Sequence, residues 1–195
     1  MIQDLRLQNF RSYKDTTLEF GDGVNIIVGP NASGKTNLLE AILVFCRGSS
    51  YRASDEELIK HNQQWARLDG HILSQSRSLK IEKEPIRKQY IIGGTTYKRL
   101  PLQRSVPVVL FEPNHLQLLH GAPELRRDYL DDLLEQFTPG YETLRKNYKR
   151  ALQQRNALLK SGGSKDQFFV WNLRLSDLGG QLALHRQQLT TKINK

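Results

Sequence analysis

Gly29-Pro-Asn-Ala-Ser-Gly-Lys-Thr36 lies between an apolar run at 24–28 and a helical pattern that begins near Lys35. The spacing G-x-x-x-x-G-K-[ST], after a strand and before a helix, is that of a P-loop. Gly29 and Gly34 let the backbone curl so that successive N–H groups point inward at phosphates, and the following helix adds its positive end. Lys35 then reaches the β- and γ-phosphates of ATP as a point charge, while the Thr36 hydroxyl takes a place in the shell of Mg2+. The candidate nucleotide-binding residues are therefore Gly29, Pro30, Asn31, Ala32, Ser33, Gly34, Lys35, Thr36 and the adjoining Asn37, with Thr36 the metal contact through ATP.

Upstream, residues 2–10 alternate apolar and polar as a half-buried strand does, and lead into Arg11-Ser-Tyr13. A short strand at 17–20 meets the turn signal Gly21-Asp-Gly23, and a buried strand at 24–28 follows, which predicts an antiparallel edge beside the nucleotide-binding strand. Downstream, Leu38, Leu39, Ile42, Leu43 and Cys46 repeat at helical spacing up to Gly48. Ser54-Asp-Glu-Glu57 reads as a capping box, with a short helix from Asp55 to about His61. Residues 66–73, 78–83, 89–92 and 95–98 read as a meander, the last pair joined by Gly93-Gly94, and 106–111 as a further buried strand.

The character changes at Gly121-Ala-Pro123. Pro123 suits a first helical turn, and Leu125, Tyr129, Leu130, Leu133, Leu134 and Phe137 give that helix one apolar face. A second helix follows Pro139, and Ser161-Gly-Gly-Ser164 turns the chain back. The last helix sets Trp171, Leu175, Leu178, Leu182, His185 and Leu189 in a heptad seam, without a stop signal before Lys195. The expected organisation is a P-loop head at 1–120, incomplete without a C-terminal part, and a helical arm at 121–195 that is cut short.

No run approaches the length of a membrane span, and a single cysteine, Cys46, gives no disulfide framework, which suits a reducing cytosol. Cys46 reads as a buried thiol. The formal charge of +9 and pI near 9.7 point to an anionic partner beyond the nucleotide, with nucleic acid the first candidate, and the excess is shared by both halves.

Together these residues resemble the RecF family of bacterial recombination mediators, whose head is similar to SMC and ABC-type ATPases. Phe10-Arg-Ser-Tyr13 looks like the family's F-R-N-Y turn, and residues 29–42 like its extended P-loop and following helix. Gly121-x-Pro-x-x-Arg-Arg-x-x-Leu-Asp131 and Gln154-Arg-Asn-x-Leu-Leu-Lys160 resemble two more specific family stretches. Ala32 stands where the family has glycine, and Glu112-Pro-Asn-His115 replaces a Pro-Glu-Asp pattern.

The resemblance implies an α/β fold: a P-loop ABC/SMC-type ATPase head lobe with a mixed β-sheet, plus an α-helical arm of antiparallel helices. It implies that Arg11 approaches the γ-phosphate and that Asn31 orients the phosphates or the attacking water. For the whole protein it implies a cytoplasmic, nucleoid-associated DNA replication, repair and recombination protein of the DNA-damage (SOS) response. That protein binds double-stranded DNA near single-strand gaps as an ATP-dependent homodimer, helps RecO and RecR load recombinase, and hydrolyses ATP slowly.

Hydrolysis also needs a Walker B acid after an apolar strand and a signature motif from a second subunit. Neither is found. Val108-Val-Leu-Phe-Glu112 imitates the first, but Pro113 makes it a strand ending at a loop. Leu175-Ser-Asp-Leu-Gly-Gly-Gln181 imitates the second, but two extra residues separate Ser176 from Gly179, and its leucines continue the seam. No catalytic residue is assigned, and the histidines show no metal-ligand spacing. Arg126, Arg127, Lys146, Lys149 and Arg150 are candidate contacts to DNA phosphates, a solvated helix face being the equal alternative. Two other classes stay open: a P-loop small-molecule kinase, and a helical protein-interaction module with a structural nucleotide.

Overall fold

The computed structural model describes residues 1–162 and 164–194, with Asn114 described by its backbone. The chain divides into two compact units, Met1–Val108 and Val109–Lys195. Segment 109–120 thus groups with the helices rather than with the sheet.

In the first unit, β1 (Ile2–Phe10), β2 (Tyr13–Glu19), β3 (Trp65–Ile72), β4 (Gln75–Glu82), β5 (Arg87–Ile92) and β6 (Thr95–Tyr97) form one sheet in the order β2-β1-β3-β4-β5-β6. Every ladder is antiparallel. Alternation sets the inner face: Leu5 and Leu7 of β1, Ala66 and Leu68 of β3, Leu79 and Ile81 of β4, and Tyr90 of β5 are all buried. Helix α1 (Lys35–Arg47) brings Leu38, Ala41, Val44 and Phe45 to the same core. Each such leucine, isoleucine, valine or phenylalanine, fully buried, contributes about 1.5–3 kcal/mol. Gly48 ends α1 in the left-handed conformation at φ 84°, and the Lys88 amine and Tyr90 hydroxyl donate to its carbonyl at 2.6 and 3.0 Å.

Several expectations need correcting. Residues 24–28 form no strand, and their side chains are exposed, Val24 to 90% and Val28 to 83%. A strand forms only against a ladder partner, and among the described residues none is paired with this run. The edge strand is longer than expected and pairs elsewhere: β2 starts at Tyr13 and pairs with β1 across the turn at Arg11-Ser12. Residues 106–111 likewise form no strand; Val106 and Val108 pack against the core, the Val106 N–H donating to the Cys46 carbonyl, while Val109 and Phe111 are exposed. The short helix after Ser54 is a single 3-10 turn, Glu56–Leu58: the Glu57 carboxylate accepts from N–H and Oγ of Ser54 at its start, but Ile59 turns extended to bridge Phe10, with Arg11 N–H donating to the Leu58 carbonyl and Lys60 N–H to that of Asn9.

The second unit begins with short helical turns, Pro113–Leu116 and α2 (Gln117–His120). Helices α3 (Pro123–Phe137), α4 (Tyr141–Ser161) and α5 (Lys165–Ile193) follow. A capping box starts α5: the Gln167 N–H donates to Ser164 Oγ, and Ser164 N–H to Gln167 Oε1. Contacts between α4 and α5 run in opposite directions along the two helices, Arg155 meeting Asn172, Tyr148 meeting Gly179 and Tyr141 meeting His185, so the pair is antiparallel. Leu178, Leu182 and Leu189 of the seam are buried, and the signature-like stretch lies wholly inside α5. Among the described residues no helix is long and apolar enough to cross a membrane.

Candidate nucleotide site

Segment 29–34 curls into the N-terminus of α1 through two left-handed residues, Ala32 at φ 62° and Gly34 at φ 96°. Gly34 has a second reason to be glycine: a Cβ there would lie 3.0 Å from Ser12 Oγ and 3.2 Å from the Tyr13 hydroxyl, which itself donates to the Gly34 carbonyl at 3.2 Å. The Lys35 ammonium folds back over the loop and donates to the carbonyls of Gly29 and Pro30, both at 2.7 Å. No acid stands in the first turn of α1, so the positive end of the helix is uncompensated. Asn31, Ala32, Ser33 and Thr36 are exposed around this turn, and Asn37 is half-buried. The eight loop positions and Asn37 lie together at the start of α1.

Arg11 reaches the same end of α1 from the turn between β1 and β2, but its guanidinium is engaged. Nε and Nη2 donate to the two carboxylate oxygens of Glu40 at 2.9 and 3.0 Å. Glu40 is fully buried, and it also accepts from Arg52 Nη2 at 3.0 Å and Ser50 Oγ at 2.6 Å. Burial pushes this carboxyl up, and the hydrogen bonds from Arg11, Arg52 and Ser50 more than reverse that, holding it at about 2. Arg52 further donates to Asn37 Oδ1 at 3.1 Å, and Asn37 Nδ2 to Ser12 Oγ at 3.0 Å. Glu40, Ser50 and Arg52 are absent from the residues picked out by motif. The signal for Glu40 was present: it is the lone charge within Leu-Leu-Glu-Ala-Ile-Leu-Val-Phe, residues 38–45, and a buried charge requires partners.

A cleft of about 820 Å³ opens beside this network, its walls including Arg11, Ser12, Asn37, Lys60, His61 and Lys83. Cys46 is buried and its thiol is pushed up to about 11, chiefly by desolvation, which leaves it unreactive. Among the described residues no group of three or more His, Cys, Asp or Glu side chains is placed to hold a metal.

The DNA candidates lie in the second unit. Arg126 donates to the Leu118 and Gly121 carbonyls, Arg127 pairs with Glu124 and Lys146 with Glu142. Lys149 and Arg150 are exposed and carry no ion pair among the described residues. Glu112 ends no strand, and its N–H donates to His115 Nδ1 at 3.1 Å.

A family model described as AAA domain matches residues 4–190. The chain is 34% identical to the DNA replication and repair protein RecF of Acidothermus cellulolyticus and 36% identical to that of Streptococcus pneumoniae, over 98% of this chain and 55% and 54% of those proteins. A solved structure of the recombination mediator protein RecF with ATPrS, in the RecFOR pathway, superposes with a TM-score of 0.85 at 27% identity, covering 98% of this chain and 54% of that one. The chain belongs to the AAA domain family, with the α/β fold of a P-loop ATPase head. Within that class its resemblance is to RecF, an SMC/ABC-type ATPase, and it spans about half the length of the curated relatives it matches.

Proposed function

We propose that this chain is the ATP-binding part of a RecF-type DNA replication and repair ATPase. The observation that carries the reading is the loop 29–36 itself, curled into an uncompensated helix N-terminus with the Lys35 ammonium held by loop carbonyls that phosphate oxygens can replace. The exposed Thr36 hydroxyl at the start of α1 fits a place beside Mg2+ carried by the nucleotide; the ion supplies charge neutralisation of the phosphates. A cleft whose walls include Arg11, Ser12, Asn37, Glu56, Glu57 and Lys60 opens beside Asn37, the residue after the loop. The relatives are named as DNA replication and repair proteins, and the solved RecF structure is a complex with ATPrS.

On this reading residues 1–120 serve as the first lobe of the head and 121–195 as part of its arm. The whole protein works in the cytoplasm on duplex DNA near single-strand gaps, as an ATP-dependent homodimer with RecO- and RecR-type partners. The net charge of +9 and the exposed Lys149 and Arg150 support an anionic polymer as partner. The test is titration with a fluorescent ATP analogue and Mg2+, alongside duplex DNA at two salt concentrations, for the wild-type chain and Lys35→Met. ATP binding lost in the Lys35→Met protein is the expected result; equal binding by both would overturn the assignment of the loop. DNA binding that falls with salt and responds to ATP places the DNA surface in this chain, whereas ATP binding without DNA binding removes DNA from its partners.

A further inference from the structure

Three separate segments converge on the Glu40 carboxylate: the β1–β2 turn through Arg11, α1 through Glu40 itself, and the segment after α1 through Ser50 and Arg52. Stability is a poor explanation for such a cluster, because replacing buried ion pairs by apolar side chains of similar volume is often neutral or stabilising. Its geometry instead points at the loop. Arg52 bridges Glu40 and Asn37, the residue after Thr36; Asn37 returns to Ser12, and Ser12 adjoins Arg11, so the hydrogen bonds close a ring around the start of α1. Arg11 takes a left-handed backbone at φ 51°, a conformation that costs a residue with a side chain and that the ring holds in place.

Two guanidinium groups share the one buried carboxylate. The side chains of Arg11 and Arg52 remain 22% and 36% exposed while that of Glu40 is 0%. Arg11 spends Nε and Nη2 on Glu40, leaving Nη1 without a partner among the described residues, on a side chain that lines the cleft. We infer that Glu40 is a positioning residue for nucleotide recognition: it holds Arg11 and Arg52 as a pre-oriented cationic pair that reads the terminal phosphate of a nucleoside triphosphate. Since the guanidinium groups are fixed before the ligand arrives, binding orders no long side chain, and the gain falls on the one phosphate that distinguishes a triphosphate from a diphosphate.

This inference rests on the ATP-binding reading above. Its test is the ratio of affinities for fluorescent N-methylanthraniloyl ATP and ADP, with Mg2+, in the wild type, Glu40→Gln, Arg11→Gln and the double variant, each checked for folding by circular dichroism. Glutamine keeps the shape but turns an N–H toward a guanidinium and displaces it. The expected result is a triphosphate preference in the wild type that shrinks on the order of tenfold in Glu40→Gln, with ADP affinity within about twofold of wild type. The double variant is expected to lose more than Arg11→Gln alone, because Arg52 is also released, but less than the sum of the two single losses. A folded Glu40→Gln protein with an unchanged ATP/ADP ratio, or fully additive losses, would overturn the positioning role. Should Glu40→Gln fail to fold, Ser50→Ala removes the 2.6 Å hydroxyl contact to Glu40 together with the acceptor of the Arg52 and Ala53 N–H groups; it must still narrow the preference, and an unchanged ratio there overturns the role equally. Failure of the wild type to bind either nucleotide sinks the ATP-binding reading instead.

Discussion

The Arg77 guanidinium on β4 donates from Nη1 to the Phe45 carbonyl at the end of α1, at 2.9 Å. It also reaches the Cys46 carbonyl at 3.4 Å and, through Nη2, the Arg104 carbonyl. Arg77 is buried, with no carboxylate partner among the described residues, and desolvation lowers its pKa; what it neutralises is the negative end of the helix and its unsatisfied carbonyls. The helix that begins at the phosphate loop is therefore anchored to the sheet at its far end. Arg77→Met keeps most of the volume and leaves buried carbonyls unpaired, which costs about 1–3 kcal/mol. Urea unfolding at neutral pH is expected to show a lower midpoint with an unchanged slope.

Acid should act on the same unit through Glu40. Its folded value of about 2 lies below the ordinary 4.5, so its contribution is fully present above the ordinary value and is lost as pH falls through the folded one. The size is on the order of 3 kcal/mol. The wild type is expected to lose stability steeply between about pH 5 and pH 2, and Glu40→Gln to show a flatter profile over that interval from a lower plateau. Parallel profiles for the two proteins would remove Glu40 from the acid transition.

Gly70 on β3 faces β1 so closely that an added Cβ would sit 2.2 Å from the Asp4 carbonyl oxygen. Backbone on both sides leaves no flexible side chain to give way. Gly70→Ala must therefore part the central β1–β3 ladder, at a cost of about 3 kcal/mol or more, since overpacking alone costs 1–3. Thermal unfolding followed at 218 nm is expected to show a large fall in Tm, against a small effect for Gly94→Ala, where a Cβ meets open space and only the φ of 82° opposes it.

These cases show what was legible in the sequence. The meander was, because Gly93-Gly94 and the alternation of 66–98 are local signals, and so was α1, which starts at Gly34 and stops at Gly48. The arm helices announced themselves through Pro123, their apolar periodicity and the turn at residues 161–164. The runs at 24–28 and 106–111 misled because a short apolar run reports its side chains' preference and not a ladder partner. The loop residues follow from a motif eight residues long, whereas the Arg11–Glu40 bond spans 29 positions and had no local signature beyond a charge stranded in an apolar helix.

Ala32 offers a gain rather than a loss. It holds φ 62° in the loop, where the resembled family has glycine, and a side chain in the left-handed region costs on the order of 1 kcal/mol. Ala32→Gly relieves that strain but widens the unfolded and unbound ensembles, which offsets part of it. The expected outcome is a Tm equal to or slightly above wild type, with ATP affinity changed less than about threefold. A clear loss of stability would show that the left-handed turn is not carried by Ala32.

Asp131 holds the three long helices of the second unit at one point. Buried on α3, it accepts two hydrogen bonds from Arg186 of α5 at 2.7 and 2.9 Å and one from the Tyr141 hydroxyl of α4 at 2.6 Å. Arg145 Nε of α4 lies 3.1 Å away without the alignment of a hydrogen bond. Burial pushes the Asp131 carboxyl up, yet Arg186, Tyr141 and Arg145 together hold it below its ordinary value, and the Tyr141 hydroxyl is raised in turn. Asp131→Ala strands Arg186 and leaves Arg145 its remaining partners Asp128, Asp132 and Glu135. Breaking one side of a buried pair costs about 3–5 kcal/mol. The protein has two tryptophans, Trp65 on β3 and Trp171 on α5, so a Trp65→Phe background leaves Trp171 as the reporter of the helices. In that background Asp131→Ala is expected to lower the urea midpoint by more than Lys146→Ala, which removes only an exposed i,i+4 pair with Glu142 worth about 0.3–0.5 kcal/mol. Comparable shifts would mean that the three helices are held by their apolar seam and not by Asp131.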